Sequence, residues 1–198
     1  MPGPHTYITI ERPGEGIYTD KGSKFIGLAF PVAGEDDVKQ ALRQVKSEYK
    51  AARHYCYAFV IGPGRELSRA NDAGEPSGTA GKPILGQLTS FGVTNALVIV
   101  VRYFGGVLLG TGGLIQAYRN AAREALAHAG TVEKEITEII TVKVSHERYS
   151  GFITLLKKYD LKFHTLSSDE TSVSLRIEIP VRFKAKLAEE MRSYEAPE

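Results

Sequence analysis

The six consecutive apolar residues Ala96-Leu-Val-Ile-Val-Val101 constrain the fold more than any other stretch of this chain. A half-exposed strand alternates apolar and polar side chains, so a run that is apolar at every position describes a strand covered on both faces. Such a strand belongs at the centre of a sheet. Around it, Lys24 to Phe30 reads as a second strand, and Gly34 precedes a helix over 35–50 whose inner face is Val38, Ala41, Leu42, Val45 and Tyr49. Tyr55 to Ile61 reads as a further strand, closed by Gly62-Pro63-Gly64.

Two glycine-rich segments flank the apolar run. SRANDAGEPSGTAGKPIL, Ser68 to Leu85, is expected to begin as a loop and end as a helix capped by Ser77 or Thr79, with Pro83 tolerated in its first turn. RYFGGVLLGTGGL, Arg102 to Leu114, leads into a helix ending near His128, where Gly130-Thr131 stops it. The charged segment Glu133 to Glu135 is the expected linker, dividing the chain into an N-terminal domain, 1–135, and a C-terminal domain, 136–198.

In the second domain Ile140, Val142 and Val144 alternate with Thr141, Lys143 and Ser145, which predicts a strand over 138–146. Tyr149, Phe152, Ile153, Leu156 and Tyr159 then recur at helical spacing. Strands follow at 161–167 and 171–179, joined by a turn at Ser167 to Glu170, and a last helix carries Phe183, Leu187, Met191 and Tyr194 on one side. The order β-α-β-β-α is ferredoxin-like without its final strand, so the chain reads as α+β.

The net charge is only +2, which does not announce a nucleic-acid binder, but its distribution is uneven. From Pro76 to Arg123 there is no Asp or Glu, where the composition would place about 5 or 6, yet Lys82, Arg102, Arg119 and Arg123 all fall inside that window. No apolar run approaches the length of a membrane span, no secretory signal pattern opens the chain, and a lone Cys56 cannot form an intramolecular disulfide. A cytoplasmic protein without membrane contact is expected, and nothing in the sequence sets its oligomeric state.

The segments GEPSGTAGKPIL, RHYCYAF and VVRYFGGVLLGTGGLIQAY resemble the signature segments of the IMPACT family in its bacterial, YigZ-like two-domain form. The resemblance implies an N-terminal domain like those of ribosomal proteins and elongation factors, with a left-handed β-α-β crossover. It implies a C-terminal domain similar to the last domain of elongation factor G. Eukaryotic members restrain a translation-control kinase through an extra N-terminal domain absent from this sequence, so that partner is not carried over. Nucleic-acid binding by bacterial members is inferred from fold kinship.

Both glycine-rich segments run into helix starts, where free N–H groups and the helix dipole favour phosphate or carboxylate. Ser77, Gly78, Thr79 and Lys82 form one candidate anion site, and Arg102, Gly105, Gly106, Gly112 and Gly113 the other. Neither is a nucleotide motif: Gly78 to Pro83 is too short for a Walker A loop, and Ile115 stands where a Rossmann motif needs its third glycine. The alternative is that the glycines serve tight packing or positive φ. On the following helix Gln116, Arg119, Asn120 and Arg123 line up at i, i+3, i+4, i+7 opposite an apolar side, and such a stripe can track a phosphate backbone or simply be solvated.

Catalysis has weaker footing. His54 and Cys56 are two apart on a strand, too far for a thiolate–imidazolium dyad, and Asp72 and Glu75 read as turn and capping residues rather than metal ligands or an acid/base pair. The expectation is therefore a non-enzymatic protein without metal or cofactor that binds RNA or the ribosome through Lys82, Arg102, Arg119, Arg123 and the glycine-rich turns. Two alternatives stand beside it: a regulator docking on a translation factor, and an enzyme acting on a phosphorylated small molecule.

Overall fold

The computed structural model describes residues 3–194, and these group into two compact units, one of residues 6–134 and one of residues 3–5 with 135 onwards. The first holds a five-stranded antiparallel sheet built from β2 (Gly14–Asp20), β3 (Ser23–Pro31), β4 (His54–Ile61), β5 (Leu67–Asn71) and β6 (Ala96–Tyr103), in the order β2-β3-β6-β4-β5. As its unbroken apolar run predicts, β6 is central and buried from Ala96 to Arg102.

Strands β3 and β4 each pair antiparallel with β6, so they run parallel to one another, and α1 (Glu35–Glu48) connects them across the intervening strand. This is the β-α-β crossover. The same relation holds between β5 and β6, which flank β4 and are joined through α2 (Gly81–Ser90). Alternation along β6 sends Leu97, Ile99 and Val101 to a core with Val38 and Val45 of α1. Val98 and Val100 go to the opposite core, with Ile84 and Leu88 of α2 and Tyr118, Ala121, Ala125 and Leu126 of α3 (Gly110–Ala129). The small residues of α3 let it lie almost against the sheet: a Cβ on Gly27 would overlap the carbonyl of Ala121.

Four strands were not anticipated, one of them the edge strand β2 (Gly14–Asp20). Ser68 to Asn71, read as the start of a loop, belongs to the edge strand β5 (Leu67–Asn71), and Glu133 to Glu135, read as a linker, belongs to β7 (Thr131–Glu135), which pairs with β1 (Thr6–Ile10). A strand conceals itself when it lies at an edge and buries little, as β5 does with four of its five residues exposed.

In the second unit β8 (Thr137–Ser145), β9 (Lys162–Ser168) and β10 (Ser172–Pro180) form an antiparallel sheet in the order β8-β10-β9. With α4 (His146–Lys158) and α5 (Lys184–Arg192) this is the ferredoxin-like β-α-β-β-α order. Phe152, Leu156, Leu175, Ile177, Leu187 and Met191 form its core.

Candidate nucleic-acid interface

The two glycine-rich segments, similar in sequence, come to opposite states. At the start of α2 neither Ser77 nor Thr79 caps the helix; Thr79 instead donates to the carbonyl of Pro76 at 2.7 Å. The cap is Asp72, one residue past β5. Its Oδ1 accepts from the N–H groups of Ala80 and Gly81 at 3.0 and 2.8 Å, and its Oδ2 accepts from Gly78 at 2.9 Å. Partial burial pushes the Asp72 carboxyl up, but these three donors and the charge of Lys82 outweigh it and hold the group below the usual carboxylate range. The first candidate anion site is thus filled by the protein's own carboxylate, with Gly78 at φ +77° in the turn that presents it and Lys82 exposed beside it.

Arg102 is not a surface cation. It is 7% exposed, and its Nη1 lies 2.7 Å from Glu75 Oε1, which also accepts from the Tyr118 hydroxyl at 2.6 Å. Its guanidinium carbon stands 5.5 Å from the ring centroids of both Phe25 and Phe104. Glu75, one residue outside the acid-free window, is the partner that the window conceals.

The second segment leaves its helix end open. No side chain caps α3, and its first turn holds no acid. Gly105 packs on the β2–β3 turn, where its N–H donates to Ser23 Oγ at 3.1 Å, and Gly106 takes φ +89°. A Cβ on Gly81, by contrast, would crowd the backbone of Asn71, so the two glycine-rich turns pack on different neighbours. Gly112 has open space around it, while a Cβ on Gly113 would meet only the Leu109 side chain. The connecting loop exposes Phe104, Val107 and Leu108 at 56%, 52% and 81%, an apolar display that its glycine-rich flanks gave no sign of.

Along α3, Gln116, Arg119 and Arg123 are exposed and Asn120 half-buried. Gln116 donates to Asn120 Oδ1 at 3.1 Å, and Arg123 pairs with Glu124 at 3.0 Å, so the stripe does meet an acid at its far end. On β4, Cys56 is fully buried and donates to the carbonyl of Asp72, and burial pushes its thiol up to about 12; His54 Nδ1 is engaged by the carbonyl of Ala73 instead. The two do not form a dyad. On α1, Lys39 pairs with Asp36 at 2.9 Å. Among the described residues no cluster of three or more His, Cys, Asp or Glu is arranged to hold a metal, and no helix is long and apolar enough to cross a membrane.

The family model of the Impact N-terminal domain matches residues 21–126, which contain the whole of this surface. "IMPACT family member YigZ" of Escherichia coli is 38% identical over 85% of this chain and 85% of its own length. "IMPACT family member YvyE" of Bacillus subtilis is 39% identical over 69% of this chain, a match spanning 63% of that relative. A crystal structure of a hypothetical protein superposes with a TM-score of 0.76 at 34% identity, covering 98% of both chains. A family match over more than half the sequence, carried by the segments that form four of the sheet's five strands and both glycine-rich turns, establishes that this chain belongs to the IMPACT family.

Proposed function

We propose that this chain is a translation-associated RNA-binding protein that engages a phosphate backbone through the open N-terminus and solvent face of α3. The observation that carries this reading is the contrast between the two helix starts. Asp72 closes α2, whereas α3, twenty residues long, begins without a cap or an acid and continues into exposed Gln116, Arg119 and Arg123. Free N–H groups at such an end suit a phosphate, and arginines one turn on can follow the next along a strand. Lys82 and Arg102 take no part in this surface: the first neighbours Asp72 and the second is buried on Glu75. The association with translation rests on family membership.

Fluorescence anisotropy of labelled tRNA and single-stranded RNA across a salt series tests it. Binding is expected to saturate, and its logarithm to fall with log salt at about 0.7 per neutralised phosphate. The double change Arg119→Ala and Arg123→Ala should weaken binding without moving the melting curve; unaltered binding removes α3 from the interface.

One observation favours a second reading, a regulator that docks on a translation factor: Phe104, Val107 and Leu108 project together from one loop, as an apolar anchor for a protein would. A protein partner captured by the wild type after nuclease treatment, and lost by Leu108→Asp, would place that reading first.

A further inference from the structure

We propose that the cavity where β4 begins and β6 ends, beside the 104–108 loop, binds a single nucleotide, its phosphate held by Arg53 and Arg102 and its base laid against Phe104. The cavity encloses about 500 Å³, the size range of small-ligand sites, and Arg53, His54, Arg102, Tyr103, Phe104 and Leu108 line it. No carboxylate does. His54 and Arg102 are paired across the two strands, so they occupy the same level of the sheet.

Arg102 supplies the independent sign of a ligand. Its side chain is more than nine-tenths buried, Glu75 takes Nη1, and Nε finds no acceptor. A buried N–H left without a partner costs on the order of 1–3 kcal/mol, so native structures rarely leave one. The rings of Phe25 and Phe104 stabilise the charge but offer no oxygen to the donors. With Nη1 committed, Nη2 is the donor left to face the cavity, and Nε, itself without accessible surface, completes a fork for two phosphate oxygens only when the guanidinium turns toward the ligand. Glu75 neutralises the charge of Arg102, so the net attraction for an anion comes from exposed Arg53. Half-buried Tyr103 and exposed Phe104 and Leu108 explain why the ligand is more than inorganic phosphate: accessible aromatic and apolar surface beside a cation suits a base.

The proposal deepens the RNA-binding reading, since such a nucleotide would be one unit of the strand, but the pocket can be tested alone. Uridine 5′-monophosphate, uridine and inorganic phosphate are titrated into the full chain by calorimetry, with saturation-transfer NMR to map the ligand's contacts. The monophosphate is expected to bind with a dissociation constant on the order of 0.1–1 mM, and uridine about tenfold more weakly. Arg53→Ala and Phe104→Ala alter exposed side chains. The first should weaken the monophosphate and phosphate alike, and the second the monophosphate alone. Arg102→Lys, which keeps a charge for Glu75 but loses the fork, should weaken both; if it fails to fold, Arg53→Ala decides.

No saturable binding of the monophosphate, or binding indifferent to Arg53→Ala and Phe104→Ala, overturns the proposal. RNA titrated in parallel separates the two ideas. RNA binding that responds only to the α3 variants, without nucleotide binding, leaves the function standing and removes the pocket. Nucleotide binding without RNA binding does the reverse.

Discussion

Arg102 Nη1 and Glu75 Oε1 lie 2.7 Å apart, and only 8% and 3% of the respective side chains reach solvent. The pair fastens the segment between β5 and α2 to the end of the central strand, and Tyr118 ties the same oxygen to α3. Removing one member of a buried pair strands the other charge, so Glu75→Gln is expected to cost about 3–5 kcal/mol of stability. Tyr118→Phe loses only a hydrogen bond to a charged acceptor and should cost about 1.5–3 kcal/mol. Urea unfolding of the two single variants and the double variant checks both values. Because the groups share one oxygen, the double change should cost less than the two losses added.

Asp72 predicts a pH dependence. Its pKa in the folded chain is depressed, so the unfolded chain binds the proton first as pH falls. The contribution is therefore complete above the unfolded value of about 3.9 and is lost as pH drops through the lower folded value. Asp72→Asn should remove that part of the acid sensitivity and cost about 0.5–2 kcal/mol at neutral pH, as loss of a helix cap does. Unfolding midpoints of the wild type and variant from pH 7 to pH 3 would show the two curves converging in acid. Parallel curves would remove Asp72 as the cap that matters.

Cys56 is expected to be inert in the folded protein. Burial pushes its thiol up to about 12 despite the nearby Tyr118 hydroxyl, and the sulfur has no solvent exposure. An aromatic disulfide reagent at pH 8 should label it only at the rate of unfolding and should react at once in denaturant. Rapid labelling of the native protein would contradict both the burial and the pKa.

What the sequence disclosed of this fold, and what it hid, divide by the range of the interactions involved. The centrality of β6 follows from six adjacent residues, and the second unit from period-two and helical spacing, all of it local information. β5 buries only part of Leu67 and shows no apolar alternation, so nothing local marks it as a strand. The sequence marks Asp72 as a turn or capping residue but not the helix it caps, because Asp72 reaches the start of α2 only from the end of that strand, and Ser77 or Thr79 is the nearer candidate along the chain. The pairing of Arg102 with Glu75 joins residues 27 apart, and a charge count along the chain sees only an unneutralised arginine. Of the candidate interface, the α3 stripe was legible because it depends on helical periodicity alone.

Gly105 and Gly112, seven residues apart in the same segment, should respond to alanine in opposite ways. A Cβ on Gly105 would overlap the backbone of Gly22 and Ser23, which cannot yield as a flexible side chain does, so Gly105→Ala is expected to cost about 1–3 kcal/mol or more. Gly112 lies in the first turn of α3 with nothing within 4 Å of an added Cβ. There the greater helix propensity of alanine prevails, and Gly112→Ala should raise stability by up to about 1 kcal/mol, read as a higher unfolding midpoint. The same methyl group would stand at the helix end where a phosphate has to approach the backbone closely, and RNA affinity should therefore fall. A variant that is more stable yet binds RNA less well would assign Gly112 to the interface. Unchanged affinity would mean that phosphates, if bound, are held by the arginines further along the helix.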